Sequence, residues 1–391
     1  MSRFFVRYKT LSIIVLAVLA LLLVKVWWLT WSCRGNGSFD REKTDLLQRR
    51  NYLLEKIIVE PGLLIREMPE AVGPQFQGEW ALYSCSMFTE ALRNMAALYP
   101  ETKDEAITAV DSLIQIVLSA ELREYDAARW GEDPLSTLDG DKSHMSYLSH
   151  LAWMIGNYRL IGGDDKYNAL HDSLCSTMNR RILQSPIMNI LTYPGEAIYV
   201  PDMLVAIVAL KDYATLTGGT YGTTVDSWVD RARNEWLDDT TGLLVSFLDD
   251  NGKIDMPLKG SYAALNCYYL TKVAPDFAKE QYEILKDNFR QKAPVAGIKE
   301  YLDDPSWFGM DYDAGPIIFK LSPSGTAFTI GSATYFDDKD FRNQLLRTAE
   351  IAGHTVAWRG RRHYLLADIA PVGEAIALAM RTNKRPDDSG K

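Results

Sequence analysis

The chain has 391 residues, 47% hydrophobic and 24% charged, and its 42 Lys and Arg against 51 Asp and Glu give a net charge of −9. That composition excludes a disordered chain, a collagenous repeat and a small disulfide-stapled domain, and it supplies apolar side chains for a sizeable core. An acidic balance with no Lys/Arg block argues against nucleic acid as a main partner.

The first element is apolar. Leu11 to Trp31 reads LSIIVLAVLALLLVKVWWLTW, with Lys25 as its one charged residue. A helix of that length spans about 31 Å, the thickness of a bilayer's hydrocarbon core. Arg3, Arg7 and Lys9 precede it, and Trp27, Trp28 and Trp31 crowd its far end, where indoles favour the interface. Lys25 can snorkel towards that end. The positive-inside rule then makes residues 1–10 a cytoplasmic tail, 11–31 a single-pass signal anchor and 32–39 a short linker to an extracytoplasmic region. A cleaved signal peptide and a buried core helix are the alternatives. Bulky Trp stands where a peptidase needs small residues, so cleavage fits less well.

Residues 40–382 read as helical almost throughout, in two alternating types. Amphipathic segments such as ETKDEAITAVDSLIQIVLSAEL carry Ile107, Val110, Leu113, Ile114 and Val117 on one face and Asp104, Glu105, Asp111 and Gln115 opposite. DREKTDLLQRRNYLLEKIIVE, DDKYNALHDSLCSTMNRRIL, DSWVDRARNEWL, PDFAKEQYEILKDNFRQ and DDKDFRNQLLRTAEIAG are of the same kind. Each is followed by a segment apolar or small nearly all round, the mark of an enclosed helix. These are GEWALYSCSMFTEALRNMAALY, DKSHMSYLSHLAWMIGNYRLI, VPDMLVAIVALKDYATL, GSYAALNCYYLTKV, a stretch within DAGPIIFKLSPSGTAFTIGSA, and APVGEAIALAMRT. Six surface-then-buried pairs predict an all-α (α/α)6 toroid with the enclosed helices as its inner ring. Pro316 and Pro323 make the fifth inner helix the least regular. Two β-hairpins are expected, one at Asn251-Gly252 and one around Gly360. No Gly/Ser- or Pro-rich linker divides the region, so it reads as one domain, and residues 383–391 as a polar, fraying tail.

Cys85, Cys175 and Cys267 fall within predicted helices and Cys33 just beyond the anchor, with no CxxC or zinc spacing, so buried thiols are expected. There is no GxGxxG, Walker loop, HExxH or GxSxG elbow, so neither a cofactor nor a metal is expected. The acids Asp139, Asp141, Asp311 and Asp313 leave calcium as the alternative.

In a toroid the loops that enter the inner helices converge on one mouth. Those loops carry Gly78, Glu79 and Trp80; Asp139, Asp141, His144 and Tyr147; Tyr193, Glu196, Tyr199 and Asp202; Tyr262; Trp307, Asp311, Tyr312 and Asp313; and Glu374. Crowded carboxyls raise one another's pKa, so one can serve as acid and another as base. Aromatic faces pack on the C–H surfaces of a sugar ring. The catalytic candidates are therefore Asp141, Glu196, Asp202, Asp313 and His144. Candidate substrate contacts are Glu79, Trp80, Tyr147, Tyr193, Tyr199, Tyr262, Trp307, Asp311 and Glu374. Helix capping is the competing role for Asp141 and Asp202, and a core histidine the competing role for His144.

The segment SHMSYLSHLAWMIGNYRLIGGDDKY resembles the second inner helix of linalool dehydratase/isomerase-like proteins, and YPGEAIYVPDMLVAIVALKDYATLTGG is similar to their next one. The resemblance covers about half of the exported region. It implies the (α/α)6 fold and makes His144 a pocket residue. Where that family has two cysteines this chain has Tyr193 and Asp202, which makes the pocket more like those of toroid glycosidases and uronyl epimerases. The leading expectation is a membrane-anchored enzyme using acid and base carboxylates on a glycan or similar polyhydroxylated substrate. The alternatives are a lyase or isomerase of the resembled type acting on a small alcohol, and a non-catalytic glycan-binding or scaffold protein.

Overall fold

The computed structural model describes residues 2–32, 39–65, 73–311 and 313–385. Cys33, Tyr312, most of the expected linker and residues 386–391 lie outside them, as do the side chains of Trp28 and Trp31. Helix α1 (Ser2–Ser32) is followed by α2 (Phe39–Leu53), which runs on as a π-helical turn over Leu54–Val59, and by the single turn α3 (Gly62–Ile65). Then come α4 (Gly73–Leu98), α5 (Lys103–Val117), α6 (Ala120–Trp130), α7 (Met145–Leu160), α8 (Asn168–Gln184) and α9 (Val200–Thr217). The remainder are α10 (Gly222–Glu235), α11 (Gly260–Val273), α12 (Pro275–Phe289), α13 (Pro323–Tyr335), α14 (Lys339–Gly353) and α15 (Val372–Arg381).

Among the described residues six helices close a ring: α4 packs on α7, α7 on α9, α9 on α11, α11 on α13, α13 on α15, and α15 back on α4. The helices α2, α5, α8, α10, α12 and α14 each precede a ring helix in the chain. This is the (α/α)6 toroid expected from the alternation of helix types. Ring helices are enclosed all round, as in α9, where every residue from Val200 to Leu210 is buried. Outer helices bury one stripe, as in α5 with Ala106, Ala109, Val110, Leu113, Ile114 and Val117.

Local chemistry sets several boundaries that periodicity alone misses. The segment expected to run unbroken to Leu122 splits at Ser119, whose hydroxyl caps α6 by accepting from the Leu122 N–H at 3.2 Å. Pro316 does not interrupt a helix: it lies in strand β6 (Gly315–Ile318), paired with β5 (Phe308–Asp311). Pro323 opens α13, where its missing N–H costs nothing, and Ser322 caps the same turn.

The Gly360 hairpin forms from Thr355–Trp358 and Arg361–Tyr364. Its two turn residues, Arg359 and Gly360, both have positive φ, 48° and 78°, as a tight two-residue hairpin requires. At Asn251-Gly252 the chain turns as expected, but Phe247–Leu248 pairs mainly with Ile198–Tyr199 and tethers the entrances of α9 and α11 together. The expected tail is shorter than predicted. Asn383 is buried and donates to the Gly331 carbonyl at 3.1 Å.

The end of the ring where its helices finish is crossed by charged pairs. Glu90 on α4 meets Lys272 of α11 at 2.5 Å and Asn157 of α7 at 3.1 Å, and Arg93 reaches Asn157 and Asp212 at 2.7 and 2.9 Å. Burial would raise the Glu90 carboxyl, yet Lys272 and Arg93 hold it below its usual value. Cys85, Cys175 and Cys267 are buried free thiols. In α1 the stretch Tyr8–Trp27 has the length and apolarity that membrane anchors and signal sequences share.

Candidate active site

The end of the ring where the chain enters its helices gathers a cluster of carboxyls and phenols. Glu79 and Tyr83 stand one turn apart on α4, and so on one face. Asp202, in the first turn of α9, is fully buried and accepts a hydrogen bond from the Tyr83 hydroxyl at 3.3 Å. Its other oxygen, Oδ2, has no partner among the described residues. No backbone N–H of the α9 turn binds it, so it is not a helix cap. Beside it the Tyr193 hydroxyl donates to Ser146 at 3.1 Å, and Tyr125 lies 3.4 Å from the same Ser146. The Arg129 guanidinium stacks on the Tyr193 ring at 3.5 Å and reaches Glu196 at 3.5 Å.

On the facing side Tyr262 of α11 donates to Asp313, which follows β5. Tyr199, Phe247 and Tyr262 form one aromatic group with ring centroids 5.1 to 5.3 Å apart.

This packing changes the acids. Burial first, then the neighbouring Asp202, Asp313 and Glu196 charges, raise the Glu79 carboxyl to about 8 against the pull of Arg129. Burial, with Asp313, raises Asp202 to about 7, while the hydroxyls of Tyr83, Thr192 and Ser146 oppose the rise. Both carboxyls are therefore raised towards neutral pH, where such groups can give or take a proton. Burial pushes Tyr83, Tyr193 and Tyr199 well above the usual phenol value, so these tyrosines are donors rather than phenolate bases. Against Tyr83 the buried His150 ring lies tilted with centroids 4.5 Å apart, and burial lowers its pKa to about 3, which keeps it neutral.

The structure thus brings together Glu79, Tyr193, Glu196, Tyr199, Asp202, Tyr262 and Asp313 of the sequence candidates. Others stand elsewhere. Asp141 lies in solvent, its side chain 98% exposed and 4.0 Å from Arg180. His144 is wholly buried, with Nδ1 2.5 Å from Asp126 of α6 and Nε2 3.4 Å from Glu132, so both ring nitrogens are engaged by acids other than Glu79 and Asp202. Tyr147 donates to the Val117 carbonyl at 2.9 Å and so faces the outer ring. Glu374 is buried in an ion pair with Arg49 at 2.7 Å and accepts the Tyr364 N–H at 2.8 Å, bracing the last hairpin. Asp311 is held by Lys259 at 2.7 Å and by the N–H groups of its own turn. Trp307 is exposed on the loop before β5, and Trp80 is half-buried on α4.

A groove on the β5–β6 hairpin, lined by Tyr301, Ser306, Phe308, Met310 and Lys320, includes neither Glu79 nor Asp202. Among the described residues no group of three or more His, Cys, Asp or Glu side chains is placed to hold a metal ion, so the four acids considered for calcium do not converge.

Tyr83, Tyr125, Arg129, Ser146 and Thr192 escaped the sequence reading. A signal existed for Tyr83 alone, at four residues from Glu79 on a shared helical face.

The ring and its acidic mouth define an (α/α)6 toroid. No known sequence family matches the chain. Among solved structures it is similar to an unsaturated glucuronyl hydrolase specific for heparin, at TM-score 0.55 and 12% identity over 88% of this chain and 97% of that one. It is also similar to a polysaccharide lyase, at TM-score 0.53 and 11% identity over 88% of this chain and 98% of that one. At such identities the likeness is one of fold.

Proposed function

We propose that the mouth is the active site of a glycan-cleaving enzyme, with Glu79 as general acid and Asp202 as general base. The observation that carries this reading is the pair of funnel carboxyls raised to about 8 and about 7 within a wall of tyrosines. In hydrolysis the Glu79 proton passes to the leaving glycosidic oxygen as its C–O bond breaks. A water oxygen bonds to the carbon and gives its proton to Asp202 Oδ2. Tyr199, Tyr262 and Tyr193 offer ring faces and hydroxyls to the sugar. This assigns Glu79 to catalysis rather than to substrate contact alone, with Asp313 and Glu196 tuning its charge.

Similarity to a glucuronyl hydrolase and a polysaccharide lyase makes acidic polysaccharides the first substrates to try. Dehydration of a small alcohol, which the resemblance to linalool dehydratase/isomerase implies, is supported less. Tyr193 and Asp202 replace the two thiols, and the remaining free cysteines are buried. A purely binding role is disfavoured because Asp202 caps no helix. We read α1 as an uncleaved signal anchor that places the toroid outside the cytoplasm.

The test is turnover of uronate-containing polysaccharides by the full chain, Glu79→Gln and Asp202→Asn. The wild type is expected to yield new reducing ends, with a rate that peaks between about pH 7 and 8 as Asp202 ionises and Glu79 keeps its proton. Each variant should lose about a hundredfold or more. If both amides retain wild-type turnover, the assignment fails. A conjugated-alkene absorbance in the product would signal elimination instead of hydrolysis.

A further inference from the structure

The toroid carries its exposed apolar side chains on the same rim that the anchor helix reaches. Lys25, in the last turn of the apolar stretch, lies 2.5 Å from His354 Nδ1, and α1 packs on α14. His354 follows the last residue of α14, at the mouth end, where the final hairpin begins. The opposite end of α14 lies at the charged floor, because Arg342 pairs with Glu42 at 2.7 Å and Glu42 in turn with Arg381 at 3.0 Å. Phe39, one turn before Glu42, is therefore also at the floor.

This connection fixes the direction of α1. The fifteen-residue α14 sets rim and floor about 22 Å apart, and seven helical residues carry the chain about 10 Å from Lys25 to Ser32. The seven steps from Ser32 to Phe39 reach at most about 25 Å. Were Ser32 a full 10 Å above the rim, those steps would have to cover about 32 Å, so the helix does not rise from Lys25 away from the toroid. The apolar residues before Lys25 consequently leave from the rim and not towards the floor.

On that side stand Trp358 (70% exposed), Leu365, Leu366 (60% exposed) and Ile369 of the last hairpin and the turn after it, with Phe308 and Met310 on the neighbouring hairpin. Arg359 sits beside Trp358 at 5.5 Å, and the nearby acids Glu55 and Asp45 are paired with Arg361 and Arg362. Aromatic and aliphatic tips beside an arginine match the headgroup layer of a bilayer. Lys25 marks the depth at which that layer lies.

We propose that this rim docks on the membrane that α1 crosses, so that the funnel opens beside the bilayer surface and takes glycans presented there. The proposal rests on reading α1 as a membrane anchor but not on the assignment of Glu79 and Asp202.

The test uses the full chain with Cys33→Ser, reconstituted in liposomes containing spin-labelled lipid. One cysteine at a time carries an environment-sensitive fluorophore: Leu16→Cys in α1, Trp358→Cys or Leu366→Cys on the rim, and Lys339→Cys, an exposed residue at the floor. The rim probes should be quenched several-fold more than the floor probe, together with the probe in α1. Quenching at Leu16 with rim probes no more quenched than Lys339 overturns the docking and leaves the anchor standing. An unquenched Leu16 probe overturns both. Rim signals that follow protein concentration and ignore the spin label would assign the patch to a second copy of the chain and also overturn the proposal.

Discussion

Replacing Asp202 by Asn should make the protein more stable at neutral pH while removing its activity. Asp202 is fully buried, and its carboxyl is raised from 3.8 to about 7. An acid whose pKa is higher in the fold binds its proton more tightly there than in the unfolded chain. The stability this brings is present in full below about pH 4, is lost as pH rises through about 7, and stays lost above it. About three pH units at about 1.36 kcal/mol each put the cost of the buried charge at roughly 4 kcal/mol near pH 8.

Asn keeps the shape of Asp and its oxygen can still accept from Tyr83, but its amide must find an acceptor where Oδ2 has no partner. Allowing about 1 kcal/mol for that leaves a gain of about 3 kcal/mol. Denaturant titration at pH 8 and pH 4 measures it: the gain should appear at pH 8 and vanish at pH 4. An Asn variant no more stable than wild type at pH 8 would refute the claim that the fold holds this carboxylate at a cost, and with it the basis for calling Asp202 a tuned base.

Other perturbations separate scaffold from site. Glu374→Ala takes one of two carboxylates from the buried Arg49, which keeps Asp45 at 3.0 Å, and should cost about 1–3 kcal/mol of unfolding free energy; a loss under about 0.5 kcal/mol would contradict a buried bracing pair. Gly260→Ala places a Cβ 1.9 Å from the Lys299 carbonyl oxygen, so the variant should be severely destabilised, by more than about 3 kcal/mol. Gly373→Ala meets nothing within 4 Å and should shift unfolding by no more than about 0.5 kcal/mol. Asp141→Asn should leave turnover unchanged, given the exposure of its carboxylate; a large drop would return Asp141 to the active site.

The helix types were readable because burial imposes a period. VPDMLVAIVALKDYATL has no polar face, and the structure encloses it, whereas the striped α5 lies outside the ring. The places where loops enter the ring were also readable, and Asp202, Glu79 and Asp313 were found that way. Side-chain direction was not. His144 and Glu374 lie at ring-helix entrances as expected, yet His144 turns to Asp126 on α6, a helix the periodicity did not mark beyond Leu122. Glu374 turns to Arg49 of the first outer helix, and no local pattern announces a partner so far away in the chain.

What the sequence determined by itself is therefore the apolar N-terminal segment, the alternation that closes a ring, and the stock of acids and tyrosines at one end. Hydrophobic period and turn chemistry are local properties, carried within a dozen residues. The tertiary structure decided which acids are desolvated together and where α1 leaves the ring. Glu79 and Asp202 are 123 positions apart in the chain, and their raised pKa values come from walls that α4, α7, α9, α11 and the β5 hairpin build jointly. Only closure of the ring brings those walls within Coulomb range of one another.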